Sequence, residues 1–79
     1  MVDERYPNMG QIQEIFRIYR SQLIDMERRG VLGTVHRDSR GWRRYTAENI
    51  AKLIKWYEVA RGEPTDDMYE LLERVKLLG

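Results

Sequence analysis

The chain has no cysteine. Disulfide frameworks, thiolate metal sites and cysteine nucleophiles are therefore excluded. Its one histidine, His36, excludes the two-histidine metal motifs. Runs of strongly apolar residues are a handful long, far short of the 18 or more that a membrane-spanning helix requires. With 34 % of residues charged, the expectation is a soluble protein. No basic segment followed by an apolar stretch stands at the start, so the expected location is the cytoplasm, in association with the nucleoid. No glycine-rich phosphate loop and no nucleophile with a plausible base are present, so the chain is not expected to be an enzyme and no cofactor is implied. At 79 residues the expectation is one domain, residues 1 to 79, with a single small core.

The net charge of +1 conceals an uneven distribution. Residues 1 to 16 carry Arg5 against Asp3, Glu4 and Glu14, a net of −2. Residues 17 to 44 carry eight arginines against Asp25, Glu27 and Asp38, a net of +5, and contain no lysine. Residues 45 to 79 return to −2 with five bases against seven acids. Arginine presents a planar fork of donors suited to phosphate and guanine, so the central segment points to a nucleic-acid partner.

Periodicity divides the chain into four helices and a ribbon. Asn8 is a good N-cap, and Met9, Ile12, Ile15 and Phe16 recur at helical spacing, predicting a helix over residues 9 to 17. Tyr19 and Arg20 then read as a connection, with Ser21 capping a second helix that runs to Arg29 and closes at Gly30. Two short helices joined tightly form a helix-turn-helix candidate. Residues 31 to 37 and 42 to 45 are β-prone and flank the turn-prone Asp38-Ser39-Arg40-Gly41, the pattern of a two-stranded ribbon, or wing. Thr46 begins a third helix with an apolar stripe of Ile50, Leu53, Ile54, Tyr57 and Ala60, ending near Arg61-Gly62-Glu63-Pro64. Thr65, Asp66 and Asp67 begin a fourth, with Met68, Leu71, Leu72, Val75 and Leu78 on its apolar side. The expected fold class is mainly α with a small two-stranded β-wing: a winged helix-turn-helix followed by two further helices.

The segments Glu27-Arg28-Arg29-Gly30-Val31-Leu32 and Gly41-Trp42-Arg43-Arg44-Tyr45-Thr46, followed by Ile50 and Leu53, resemble the DNA-binding domain of the MerR family of bacterial regulators. In that family the second helix ends in a Glu-Arg-x-Gly-Leu-Leu pattern, and the wing closes with Gly-aromatic-Arg-x-Tyr before a helix opened by Ser or Thr. The likeness covers most of residues 9 to 60. It implies a second helix in the major groove of double-stranded DNA and a wing on the flanking backbone. Departures are Ile24, Asp25 and Met26, where members carry Arg-Tyr-Tyr or Arg-Tyr-Trp, and Arg17-Ile18-Tyr19 in place of a Gly-Val-Ser turn.

Candidate DNA contacts follow from position. Arg20, Ser21 and Gln22 stand at the start of the second helix, where helix-turn-helix proteins place base-reading side chains. Ser21 serves equally as an N-cap. Arg37, Arg40, Arg43 and Arg44 crowd the ribbon and repel one another without a polyanion nearby. Strand alternation turns one of Arg43 and Arg44 outward and the other toward the body. Arg28 reaches phosphate or complements the end of its helix. Trp42 covers the edge of the core or lies against a sugar, whereas Tyr45 reads as structural. Leu77 beside Leu78 leaves room for a dimer contact. Three functions fit: a transcription regulator; an excisionase-like or packaging-type architectural protein binding DNA side by side; and a protein-interaction module presenting Ile24, Asp25 and Met26. The chain is either the DNA-binding domain of a longer regulator or a minimal unit.

Overall fold

A computed structural model, describing residues 3 to 78, shows α1 (Met9–Phe16), α2 (Arg20–Arg28), β1 (His36–Arg37), β2 (Arg43–Arg44), α3 (Ala47–Ala60) and α4 (Asp66–Lys76). The protein is mainly helical, with one two-stranded antiparallel sheet that pairs His36 with Arg44 and Arg37 with Arg43. Among the described residues no helix is long and apolar enough to cross a membrane.

Local signals account for most helix ends. The Asn8 side chain accepts the Gln11 N–H at 3.0 Å, and Gln11 Oε1 accepts the Asn8 N–H at 2.9 Å, a reciprocal cap that starts α1. Thr46 and Thr65 cap α3 and α4 through the N–H groups of Asn49 and Met68. Gly30 closes α2 as expected: the Val31 N–H reaches the Met26 carbonyl and the Gly30 N–H reaches that of Glu27, both at 3.0 Å.

Two boundaries differ from the expectation. Ser21 is not the cap of α2, whose cap lies two residues earlier and whose first residue is Arg20. Tyr19 occupies the cap position without a side-chain cap, and its own N–H donates to Gln22 Oε1 at 3.2 Å. The ribbon is also shorter, because residues 31 to 35 do not enter the sheet. The carbonyls of Leu32 and Thr34 accept from the Asn49 amide nitrogen at 2.7 and 2.9 Å, so they turn toward α3 instead of a neighbouring strand. Gly33 permits this path: its φ is 76°, and a Cβ there would fall 2.3 Å from Glu48 Oε1.

Arg17 ends α1 in the left-handed region at φ 52°, a conformation that strains any residue with a Cβ. The Arg61 guanidinium donates to the carbonyls of Phe16 and Arg17 at the same helix end while lying over the rings of Trp56 and Tyr57. Arg17→Gly relieves the strain without touching that tie. It is expected to stabilise the protein by about 1 kcal/mol, a rise in midpoint of roughly 4–8 °C by thermal denaturation.

The core gathers Ile12, Phe16, Leu23, Leu32, Tyr45, Ile50, Leu53, Met68, Leu71 and Val75, with α4 packed against both α1 and α3. The predicted stripes hold at their centres and fail at their ends. Ala60 is exposed, Tyr57 is half-buried edge-on to Phe16, Leu78 is half-buried and Leu77 is 88 % exposed.

Candidate nucleic-acid interface

The tip joining β1 to β2 is built around one carboxylate. Asp38 Oδ1 accepts the N–H groups of Arg40 at 2.9 Å and Trp42 at 3.1 Å, while Oδ2 accepts Arg44 Nε at 2.9 Å. The Gly41 N–H reaches the Asp38 carbonyl and the Asp38 N–H reaches that of Trp42. With Gly41 at φ 84°, these bonds form a three-residue hairpin loop. Burial by itself favours the neutral acid at Asp38, but the Arg44 guanidinium and the N–H groups of Trp42 and Arg40 outweigh it and hold the carboxyl below its ordinary range. A carboxylate with a lowered folded value stabilises fully above its unfolded value of 3.8, and that contribution disappears as pH falls through the lowered one. The tip therefore withstands mild acid and loosens only when pH falls below the ordinary carboxylate range.

The same geometry separates arginines that look alike in the sequence. Arg44 is not available to a phosphate. Its side chain is 7 % exposed, bound to Asp38 and donating to the Tyr6 carbonyl at 3.0 Å. Its role is to fasten the ribbon to the body, since an unpaired guanidinium at that depth would be costly. Arg43 is half-buried and paired with Glu27 at 2.5 Å, tying the ribbon to the end of α2. Asp25 is likewise paired, with Arg29 at 3.1 Å. All three acids of residues 17 to 44 are thus neutralised, by Arg29, Arg43 and Arg44. The surplus of five falls on Arg17, Arg20, Arg28, Arg37 and Arg40, every one exposed. Of these only Arg40 has an ion pair among the described residues, a solvent-exposed one to Glu4 at 3.4 Å.

Arg20, Arg37, Trp42 and Arg43 come together along a cleft of about 550 Å³ between the ribbon and the starts of α1 and α2, completed by Asn8, Met9, Gly10 and Gly41. Arg20 Nη1 points to Met9 Sδ at 3.6 Å, and Arg37 Nη1 donates to the Gly41 carbonyl at 3.0 Å, so both guanidiniums retain donors for a ligand. Trp42 does not cover the core edge; it is 56 % exposed, with Arg40 lying 5.0 Å from its ring centre. Ser21 is exposed in the first turn of α2 and Arg28 is exposed in its last, both outside the cleft lining. Gln22 is half-buried, its carbonyl oxygen engaged by Tyr19.

Of the three residues expected to face a protein partner, one is buried, one half-buried and one engaged in an ion pair. Met26 is buried in the core and Ile24 packs against it, leaving Asp25, already paired, as the remaining member. Sequence reasoning also missed three contributors. Arg17 was counted among the eight arginines but not singled out as a contact, yet it adds a charge without an ion pair among the described residues, in a shallow hollow between α1 and α2 with Gln13, Glu14 and Tyr19. Asp38 was counted as an acid in a turn, although aspartate at the first turn position is itself a signal for the backbone bonds it accepts. Asn49 carried no signal for its bonds to Leu32 and Thr34, which lie more than a dozen residues away.

Tyr45 is fully buried, and its hydroxyl has no hydrogen-bond partner among the described residues. Burial, reinforced by the Glu27 carboxylate, pushes the hydroxyl up to about 12. Removing an unpaired buried hydroxyl should help: Tyr45→Phe is expected to stabilise the protein by about 1 kcal/mol at neutral pH. A raised folded value keeps its contribution intact below the unfolded value of 10.0 and loses it as pH climbs through about 12. The advantage of the variant should therefore widen above pH 10.0, as read by denaturation at successive pH values. An unchanged difference across that range would show the hydroxyl to be solvated.

No protein-family model, curated protein or solved structure matches this chain.

Proposed function

We propose that this protein binds double-stranded DNA as a winged helix-turn-helix similar to the MerR type and acts as a transcription regulator. In this reading α2 lies in the major groove and the ribbon of β1 and β2, the wing, grips the flanking backbone. The observation that carries it is the distribution of charge: the acids of the central segment are internally paired, and the five surplus arginines remain exposed around α2 and the ribbon. Arginines placed this way suit phosphate oxygens, which need charge-assisted donors and carry no sequence information. In this reading Ser21, exposed on the first turn of α2, meets base edges, whereas Gln22 has its oxygen committed to the backbone.

The test is an NMR titration of the labelled chain with a short mixed-sequence duplex at low and then moderate salt. The amides of Arg20, Ser21, Arg37 and Gly41 should shift, and those of α4 should not. Neutralising about four phosphates predicts that affinity falls roughly 100-fold between roughly 50 and 200 mM salt. A folded sample with no shifts, or binding insensitive to salt, would remove DNA as the partner.

A further inference from the structure

We infer that the cleft between the ribbon and the starts of α1 and α2 takes a single unpaired nucleotide unit, its phosphate held between Arg20 and Arg37 and its ring laid against Trp42. The two guanidiniums line one cleft and have no acid of their own among the described residues, while Glu27 is taken by Arg43. A phosphate bridging them removes their mutual repulsion and satisfies donors that Met9 and Gly41 leave over. The bond from Arg37 to the Gly41 carbonyl sets the direction of its guanidinium before any ligand arrives.

Trp42 supplies the second half of the argument. An indole 56 % exposed at a ribbon tip keeps apolar surface in water that the nearby core could have covered. Arg40 stacks on the ring, which orients it, and the ring still borders the cleft. Planar heterocycles stack on such a surface irrespective of base identity. Within a duplex the faces of the bases are already stacked on one another, so the ring that meets Trp42 must be unpaired. A cleft of about 550 Å³ is within the range of small-ligand sites, roughly 300–1,000 Å³. This inference goes beyond duplex binding and uses part of the same arginine set.

The indole N–H signals of Trp42 and Trp56 in the native chain provide the readout, with Trp56 as the internal control. Adenosine monophosphate should move the Trp42 signal saturably and leave Trp56 in place. Adenosine and inorganic phosphate, each offering one half of the ligand, should bind at least roughly tenfold more weakly. Arg20→Ala, which removes a surface side chain without disturbing the hairpin, should lower the affinity for adenosine monophosphate roughly tenfold. A short oligothymidylate that binds more tightly than the monophosphate would assign the site to a single strand, and equal or weaker binding would assign it to a free nucleotide; both support the inference. A Trp42 signal unmoved by nucleotide and strand, or an Arg20→Ala variant binding as well as the parent, would overturn it. A response to duplex alone would overturn this inference and leave duplex binding standing. A response to nucleotide without any to duplex would do the reverse.

Discussion

With Arg20 and Arg37 both replaced by alanine, affinity for duplex DNA is expected to fall roughly 100-fold at low salt, by a similar factor for every sequence tested. Each guanidinium is exposed and free of an acidic partner among the described residues, so a bound phosphate gains a charge-assisted contact from each. Losing two such contacts also removes about two released counterions, and the slope of log affinity against log salt should decrease in magnitude by about 2. Arg43→Ala is the contrasting variant. Its guanidinium is engaged with Glu27, so the substitution strands a half-buried carboxylate and loosens the ribbon. Its effect should therefore appear in the denaturation midpoint before it appears in the salt slope. Binding and salt slopes measured by fluorescence anisotropy for the parent and both variants would check this. A double variant with unchanged slope would place the phosphates elsewhere, with Arg17, Arg28 and Arg40 the remaining surplus cations of the segment.

The largest effect on stability is expected from Asn49→Asp, a change of one atom type in a side chain that is completely buried. The Asn49 amide nitrogen donates to the carbonyls of Leu32 and Thr34, and its oxygen accepts the N–H and the hydroxyl of Thr46 at 2.9 and 3.0 Å. One side chain thereby fastens the loop after α2 to the first turn of α3. A carboxylate there keeps the second pair of bonds and turns the first into two facing acceptors, one of them charged. The cost is about 3–5 kcal/mol, comparable to the whole stability of a small domain, so the variant is expected to be largely unfolded at room temperature. Asn49→Ala loses all four bonds but buries no charge and should cost about 3 kcal/mol. Far-ultraviolet circular dichroism and denaturant titration of the two variants give the comparison. Equal, small losses would mean that water reaches the Leu32 and Thr34 carbonyls.

The helix starts and the middle of each apolar stripe were legible because their causes are local. Asn8, Thr46 and Thr65 satisfy N–H groups three residues onward, and Ile50, Leu53, Ile54, Met68, Leu71 and Val75 follow the helical period. The turn at Asp38 to Gly41 belongs with them, since its bonds close within five residues. The start of α2 was misread for the opposite reason. Ser21 is a better cap than Tyr19 by type, yet the chain leaving α1 through Arg17 and Ile18 turns into the next helix two residues sooner.

The surplus of positive charge in residues 17 to 44 is likewise plain from composition, but composition treats the eight arginines as equivalent. Which of them stays free depends on acids brought near by folding: Glu27 lies sixteen residues from Arg43, and Glu4 is farther still from Arg40. Burial then removes Arg44 altogether, through Asp38 and the distant Tyr6 carbonyl. Elements whose bonds close within a turn or two follow from the order of residues alone. The cleft, its unpaired arginines and the exposed face of Trp42 arise only when remote segments pack, because ion pairing and exposure belong to neighbours in space.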